Sequence, residues 1–274
     1  MSKMIVLSPL KKFDVPVQAD CINPDIFKGK TLEQIADLHL TEGNAQLTLC
    51  DLFKIEETED GTSNITINGD VSKVKRIGQG MKSGEITING DVGMHTGEKM
   101  AGGKIVINGN AVGWTGSQMR GGIIEVHGNA GDYVASPYRG SEVGMRGGAI
   151  IVDGDIGTDS ACYMHGGVIK VKGNAGRFLG YHMANGTIYI EKGCAIRLAP
   201  CMTGGKIIVG GLLEDIMPSF TVDSVKGKVK VDAEITAQGP FYVFLGDLAQ
   251  QGTGKLFISK PSNPQLGPVY DKYL

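Results

Sequence analysis

The chain has 274 residues, 41% of them hydrophobic and 20% charged, with a formal net charge of −2. This near-neutral balance argues against a nucleic-acid partner, and no apolar run approaches the roughly 18 residues that a membrane span requires. The N-terminus lacks the basic-then-apolar pattern of a secretory signal, so we expect a cytoplasmic protein.

Residues 1–60 contain no repeat and are predicted to form an N-terminal arm. Val15-Pro16-Val17 and Asn23-Pro24-Asp25 indicate extended, loop-rich backbone. The stretch 31–38 predicts a short amphipathic helix, because Thr31 can cap it and Gln34 stands at the capping-box position three residues later.

A repeat begins after the arm. Met-x-x-Gly recurs with a step of 19 residues, except for one step of 26 residues. The methionines are Met81, Met100, Met119, Met145, Met164, Met183 and Met202. A fixed period near 20 residues is the signature of a repeat architecture.

Each repeat contains two apolar residues separated by one position, usually followed by a Gly-Asp or Gly-Asn turn. This period of two predicts eight short strands, each with one buried side. The pairs are Ile65/Ile67, Ile86/Ile88, Ile105/Ile107, Ile124/Val126, Ile150/Val152, Ile169/Val171, Ile188/Ile190 and Ile207/Val209.

A repeat of about 19 residues is too short for a crossover helix, since a βαβ unit needs roughly 30. We therefore expect an all-β fold in which residues 61–211 form a right-handed parallel β-helix of seven to eight coils. Methionine, isoleucine and valine would fill its interior. Residues 212–274 are predicted to add degenerate final coils, at 228–231 and 241–247, and a proline-rich tail. Both flanks would cap the open ends.

The long step, between Met119 and Met145, inserts seven residues around 134–141. Insertions in repeat proteins map to loops on one face, often the binding face. Tyrosine and arginine commonly anchor interfaces, and proline stiffens the loop. Ser136, Pro137, Tyr138 and Arg139 are therefore predicted to contact a partner.

Two sets of outward positions add further interface candidates. The residues between the apolar pairs include Val106, Ile151 and Tyr189, and half of this set is apolar, so we expect that face to be covered by a flank or by another subunit. The position five before each methionine, which includes Trp114, is mixed in character and is expected to meet solvent or a partner. That set reads Arg76, His95, Trp114, Gly140, Asp159, Phe178 and Arg197, with Gly140 expected to be out of register because of the long step.

No catalytic, cofactor-binding or metal-binding residue is predicted. The repeat places His95, His127, His165 and His182 at different phases, so they do not form a ligand column. Five cysteines without a Cys-x-x-Cys motif favour buried thiols. The stretch 252–256 resembles the end of a P-loop but lacks its first glycine and its final Ser/Thr. Hexapeptide-type β-helix enzymes repeat every six residues, and 19 is not a multiple of six.

The repeated I-x-I-x-G-[DN]-x-x-G with M-x-G-G resembles the glycine-repeat β-helix domain at the C-terminus of glutamate synthase. Two further motifs make the chain more similar to the C subunits of formylmethanofuran dehydrogenase, the tungsten or molybdenum enzyme of methanogenic archaea. They are Ala-Ser-Pro-Tyr-Arg-Gly at 135–140 and Phe-Tyr-Val-Phe-Leu-Gly-Asp at 241–247. The resemblance is strong over about 50–274 and weak in the arm.

This resemblance implies a non-catalytic scaffold within an oxidoreductase complex that begins methanogenesis from carbon dioxide. In that family the B and D subunits carry the tungsten or molybdenum pterin chemistry, and the amidohydrolase-like A subunit joins formate to methanofuran at a dinuclear metal site. Iron–sulfur clusters also lie on other subunits, including ferredoxin-like ones. Two alternatives remain: the C subunit of a formyltransferase/hydrolase complex of methylotrophic bacteria, or a glutamate-synthase-type structural domain.

Overall fold

The structure is a computed structural model that describes residues 4–59 and 64–274. In these ranges, strands dominate. They are β1 (Met4–Pro9), β2 (Val17–Gln18), β3 (His39–Glu42), β4 (Ala45–Thr48), β5 (Phe53–Thr58), β6 (Ile65–Asn68), β7 (Val74–Lys75), β8 (Glu85–Asn89), β9 (Ala101–Ile107), β10 (Gly121–Val126), β11 (Ala149–Val152), β12 (His165–Val171), β13 (Asn185–Ile190), β14 (Lys206–Val209), β15 (Thr221–Lys230), β16 (Thr236–Gly246) and β17 (Gly254–Ser259).

The helices of the described residues are short and lie in the two flanks. They are α1 (Pro24–Phe27), α2 (Leu32–Ala36), α3 (Leu49–Leu52) and α4 (Gly267–Tyr270), with 3₁₀ turns at Leu248–Gln250, Pro264–Leu266 and Asp271–Tyr273. None of these helices has the length and apolar character needed to span a bilayer. The predicted all-β class is confirmed.

One sheet of thirteen strands organises the described chain, in the order β15-β16-β17-β14-β13-β12-β11-β10-β9-β8-β6-β1-β5. The eight strands predicted from the apolar pairs are β6 and β8 to β14, and they lie side by side in parallel. Equivalent residues pair across the sheet, as in Ile86 with Ile105 and Ile105 with Ile124. The 19-residue period is therefore the register of a parallel sheet.

A second line of parallel contacts joins the repeats away from this sheet. One residue from each repeat bridges its equivalent in the next, and the line runs through Val71, Val92, Ala111, Ala130, Ile156, Ala175, Cys194 and Leu213. All eight are buried. Each repeat is thus tied to its neighbours on at least two sides.

The repeated apolar residues form the core. All eight predicted Ile/Val pairs and all seven methionines are at most 1% exposed. The methionines pack against the glycines of the next repeat: a Cβ added at Gly122 would lie 2.7 Å from Met100 Cε, and one at Gly167 would lie 2.6 Å from Met145 Cε. The Met-x-x-Gly signature therefore records a contact between successive repeats, in which the thioether fills the space that a side chain would occupy.

The segment before six of the seven methionines alternates into the left-handed region, which non-glycine residues rarely enter. In the repeat of Met145 the corresponding residues are Tyr133 and Ala135, which precede the inserted residues. Trp114, Gly116 and Gln118 have φ values of 52°, 66° and 55°. Trp114 N donates to Asp132 O in the following repeat, whereas Gly116 N donates to Thr96 O in the preceding one. The alternating backbone thus forms hydrogen bonds with both the preceding and the following repeat. The side chains of Trp114 and Gln118 remain partly exposed.

The N-terminal arm contains more structure than the sequence predicts. β1 pairs in parallel with β6, and β5 pairs antiparallel with β1 to form one edge of the large sheet. The predicted helix is confirmed as α2, with the capping box between Thr31 and Gln34. The expectation of loop at 23–25 is wrong, because Asn23 caps the short helix α1 by accepting a hydrogen bond from Asp25 N.

The C-terminal flank also differs from the prediction. The segments 228–231 and 241–247 belong to the antiparallel pair β15 and β16, and the strand that continues the parallel series is β17. In the sheet, β17 lies beside β14. Gly254 of β17 contacts Met202 as the glycines of earlier repeats contact the preceding methionine, and a Cβ added at Gly254 would lie 2.6 Å from Met202 Sδ. A period-two pattern marks a strand but not its direction.

The hairpin of β15 and β16 covers part of the sheet's outward face. Val229, Val231 and Phe241 of the hairpin cluster with Ile208 of β14, and Tyr189 of β13 packs against them. Lys170 Nζ on β12 lies 3.0 Å from the Asp232 carboxylate at the hairpin turn. One of the two predicted covers, a flank of the chain itself, thus accounts for Tyr189.

The proline-rich segment expected to be a tail is held against the body. Asn263 is fully buried and donates from Nδ2 to Ser259 O and Gly211 O, at 2.8 and 2.9 Å. Its Oδ1 accepts from Leu213 N at 2.9 Å. The boundary predicted between residues 60 and 61 lies outside the described residues.

Candidate partner-binding site

Ser136, which is 1% exposed, attaches the insertion to the neighbouring repeats through hydrogen bonds. Its hydroxyl donates to Asp159 O at 2.6 Å and accepts from Cys162 N at 2.9 Å. Ser117 Oγ donates to Ser136 O at 2.7 Å. Pro137 is buried as well. Ser136 and Pro137, both predicted to contact a partner, therefore support the loop from inside, whereas Tyr138 and Arg139 are exposed.

An aromatic stack lies beside the loop. Trp114 stacks on Tyr133 with ring centres 4.4 Å apart and on His95 at 5.4 Å. The ring of Tyr138 contacts the same stack, with its centre 5.7 Å from that of His95 and 6.2 Å from that of Trp114. Each such contact adds about 0.5–1.5 kcal/mol beyond simple burial. The exposed tip of the insertion is therefore attached to a rigid platform.

Gly140 belongs by sequence to the same set as Trp114, because it lies five residues before Met145. In the structure, Tyr133 occupies that position and stacks on Trp114. Gly140 is indeed out of register, because the extra residues follow the stacked position rather than precede it. Tyr133 N donates to Thr158 O, as Trp114 N donates to Asp132 O. Counting 19 residues forward from Trp114 would have identified Tyr133.

An open cleft of about 300 Å³ borders the insertion. It is lined by Trp114, Tyr133, Tyr138, Arg139, Tyr163 and Tyr181, among other residues. Tyr163 stacks on His182 at 4.9 Å and meets Tyr181 edge-on, so this wall is also aromatic. The stacking of Tyr163 on His182 was not predicted from the sequence, although their spacing of 19 residues was a signal. The cleft suits an apolar or aromatic group.

The outward strand residues divide into two groups. Tyr189 is half-buried against the hairpin, so part of its surface is covered by this chain itself. Val106 and Ile151 are half-buried on the same face but lie in neither buried apolar cluster of the described residues. The exposed side chain of Ile123 on β10 adds to the uncovered apolar surface.

Two histidines of the described residues, His95 and His127, lie beside carboxylates. His95 is buried beside Glu98, with Nδ1 3.5 Å from Oε2, and Arg76 lies 3.8 Å from the same carboxylate. Burial lowers the pKa of His95; Glu98 opposes this effect, while Arg76 and Lys75 add to it. His127 Nδ1 contacts the Asp153 carboxylate at 2.7 Å.

No group of three or more potential metal-ligating side chains comes together within residues 4–59 and 64–274. His127 and His182 sit in separate surroundings, one beside Asp153 and the other on Tyr163. The stretch 252–256 runs into β17 rather than into a helix, and so it lacks the helix N-terminus on which a P-loop depends.

These observations define an all-β repeat protein with an aromatic cleft beside a braced surface loop. No family model matches the chain. The predicted resemblance is confirmed by curated proteins, since the chain is similar to the C subunits of formylmethanofuran dehydrogenases. It is 50% identical over 92 residues to the C subunit of molybdenum-containing formylmethanofuran dehydrogenase 1 from Methanothermobacter thermautotrophicus. It is 41% identical over 96 residues to the C subunit of tungsten-containing formylmethanofuran dehydrogenase 2 from the same organism.

Both matches cover 34% of this chain, and they span 23% of the molybdenum relative and 36% of the tungsten relative. A solved structure extends the likeness to most of the fold. It is the formyltransferase/hydrolase complex from Methylorubrum extorquens in complex with methylofuran, with a TM-score of 0.83 and 26% identity. The match covers 93% of this chain and 99% of that chain. The likeness to glutamate synthase stays a prediction.

Proposed function

We propose that this chain is a non-catalytic scaffold subunit of a formylmethanofuran dehydrogenase complex. The observation that carries the proposal is its 50% identity to a C subunit of that enzyme over 92 residues. The exposed Tyr138 and Arg139 on a braced loop support it, because a scaffold needs a rigid surface presented to its partners.

The same proposal gives the fold its finer description. The parallel sheet and the second line of bridges are two sides of a right-handed parallel β-helix, with residues 61–211 as its body. Residues 1–60 form the N-terminal arm, and residues 212–274 close the other end. The outermost strands β5 and β15 both come from these flanks, which supports a capping role.

In this proposal the chain joins a metal–pterin unit to an amidohydrolase-like unit. The molybdenum or tungsten pterin, the iron–sulfur clusters and the dinuclear metal site lie on those other subunits. The A, B and D subunits and ferredoxin-like subunits are the proposed partners. Arg139, Tyr138 and Trp114 would supply one contact, and Val106 with Ile151 a second.

Purification through a tag on this chain from its native host tests the proposal. We expect the bound chains to include a metal–pterin subunit and an amidohydrolase-like subunit, with molybdenum or tungsten in the purified material. Recovery of the chain alone and monodisperse, from cells that make those subunits, would refute it.

The C subunit of a formyltransferase/hydrolase complex is a second candidate. It is favoured by the structural match to the complex from Methylorubrum extorquens, which extends over 93% of this chain. The same purification separates the two candidates. A formyltransferase/hydrolase complex would bring down a formyltransferase without molybdenum or tungsten.

A further inference from the structure

A second cleft, of about 230 Å³, lies close to the insertion. Its lining residues are Lys99, Gln118, Arg120, Ser141, Val143 and Arg146. Three of these six side chains are cationic and none is acidic. Ser141 lines both this cleft and the aromatic one, so the two form a continuous surface around the loop.

The two arginines occupy the same position in successive repeats. Arg120 N donates to Met100 O, and Arg146 N donates to Met119 O, each one repeat back. In stacked strands this places equivalent backbones about 4.8 Å apart. Like charges at that spacing repel each other. Both arginines are exposed, and neither guanidinium forms an ion pair with a residue in the described part of the chain.

The lysine differs from the arginines in having a carboxylate nearby. Lys99 Nζ lies 3.7 Å from Glu98, but that carboxylate is only 7% exposed and is shared with Arg76 and His95. Arg120 and Arg146 have no such carboxylate among the described residues, so their positive charge is not neutralised by an ion pair. An anion placed between them would relieve their repulsion.

The loop side of this cleft is fixed in place. Gln118 Nε2 donates to Ser141 Oγ at 3.0 Å and to Val143 O at 3.1 Å. These bonds attach the returning part of the insertion to the preceding repeat. The cationic cleft therefore has a defined wall, which reduces the entropy lost when a partner binds.

We propose that this surface receives an acidic segment of a partner subunit. Carboxylates of the segment would pair with Arg120 and Arg146, whose planar guanidinium groups suit bidentate contacts. An apolar side chain of the same segment would enter the aromatic cleft beside Tyr138. A polypeptide can fill both clefts at once, whereas a small anion satisfies only the cationic one. The inference rests on the proposed function and specifies the chemistry of the partner.

Charge reversal tests the inference in the tagged chain expressed in its native host. We expect Arg120→Glu combined with Arg146→Glu to reduce recovery of one partner subunit by about tenfold at ~0.1 M salt, because the glutamates would repel the carboxylates of the segment. Arg177→Glu combined with Lys192→Glu is the matched control, because both residues are exposed and the change in net charge is the same. Thermal unfolding of the isolated variants checks that they fold.

The outcomes separate the two proposals. If the wild-type chain brings down none of the expected subunits, the proposed function fails. If the wild-type chain brings them down and the Arg120/Arg146 variant does so equally well, only the acidic-segment inference fails.

A covalent link identifies the acidic residues directly. In Arg146→Lys, a zero-length carbodiimide reagent would join the new amine to a carboxylate in contact with it. We expect mass spectrometry of the linked complex to find position 146 joined to an aspartate or glutamate of a partner subunit. Links confined to carboxylates of this chain would overturn the inference.

Discussion

At the scale of single residues, the methionines and glycines act as pairs across successive repeats. Gly122 has φ +84°, and an added Cβ would lie 2.7 Å from Met100 Cε, 2.8 Å from Gly103 O and 2.9 Å from Gly102 C. The methionine end can move, but the two backbone atoms cannot. The glycine is therefore required by the close approach of the preceding repeat as well as by its dihedral angle.

Gly122→Ala should lower the free energy of unfolding by about 2–4 kcal/mol, combining left-handed strain with overpacking. Gly140→Ala is a matched control, since it has φ +87° with no atom within 4 Å of the added Cβ. The control should cost only about 1–2 kcal/mol. Chemical denaturation of both variants would measure this, and equal losses would show that contact with the preceding repeat is unimportant.

The cysteines differ in burial, and this predicts their reactivity. Burial raises the pKa of Cys21, Cys162 and Cys194 to about 12, whereas Cys50 is exposed. The thiolate is the reactive form, so the three buried thiols should stay unreactive at pH 8 and at pH 9. Titration of the native chain with a thiol reagent should label Cys50 first. Modification of Cys162 as fast as Cys50 would contradict the described burial.

Much of the candidate site was accessible from the sequence, but not the role of each residue. Tyr138 and Arg139 were predicted to contact a partner, and both are exposed. Ser136 and Pro137 were included for lying in the same loop, yet both are buried. Only the three-dimensional path shows that Ser136 bonds to Asp159 and Cys162, because those partners belong to the next repeat.

At the scale of elements, the period-two pattern located the eight repeat strands, β6 and β8 to β14, because each has one buried side. It did not locate β17, which lies 45 residues beyond β14 in sequence yet pairs with it. The intervening β15 and β16 resemble further repeats in composition but form an antiparallel hairpin. The sequence pattern could not predict the pairing of β14 with β17, because the two strands are far apart in the chain.

The hairpin is held by a charged contact that predicts its behaviour. Lys170 and Asp232 are 3.0 Å apart, with side chains only 17% and 19% exposed. Asp232→Asn should weaken docking of the hairpin by about 1 kcal/mol, which corresponds to roughly fivefold faster hydrogen exchange where docking limits it. Asp223→Asn, at an exposed carboxylate that bonds to neighbouring Ser224, is the control. No difference between the two variants would mean that the Lys170 contact does not hold the hairpin.

The same contact should respond to pH. Burial acts to raise the pKa of Asp232, but hydrogen bonds from Ile235 N, Lys170 and Glu234 N outweigh it and the pKa is lowered. A lowered folded-state pKa means that the contact stabilises docking above the ordinary aspartate pKa of about 3.9. That contribution is lost as the pH falls through the lowered value. The protection factors of the β16 amides, which correct for the pH dependence of intrinsic exchange, should therefore fall at acidic pH in the wild type, and less so in Asp232→Asn.

At the scale of the whole molecule, the repeated residues form the core, and the proposed function assigns partner binding to the insertion. The proposal predicts that Tyr138→Ala combined with Arg139→Ala weakens binding to a partner subunit by at least about 2 kcal/mol, since buried aromatic and arginine anchors dominate interfaces. Tyr273→Ala combined with Lys272→Ala is the control, because Tyr273 is 66% exposed near the C-terminus. Binding assays on the reconstituted complex would measure this. Equal effects of the two pairs would remove the insertion from the interface.

The all-β class and the repeat strands were predictable, because the same weak local pattern occurs eight times in the sequence. The ends were not, because each flanking strand occurs once and has no copy to confirm it. β1 is the clearest case: Met4–Pro9 carries no Met-x-x-Gly, and its place beside β6 depends on packing against the body. The proposed partner contacts depend on residues that break the repeat, and they stay a prediction.

The central claim is that the chain holds catalytic subunits together without taking part in the chemistry. It is tested most directly by producing the proposed metal–pterin and amidohydrolase-like subunits with and without this chain, and measuring the coupled reaction and each half-reaction. We predict that omission abolishes co-purification of the two units and the coupled formation of formylmethanofuran, while each isolated unit keeps its half-reaction. Assembly and coupled activity that persist without the chain, or a half-reaction that needs it, would contradict the account.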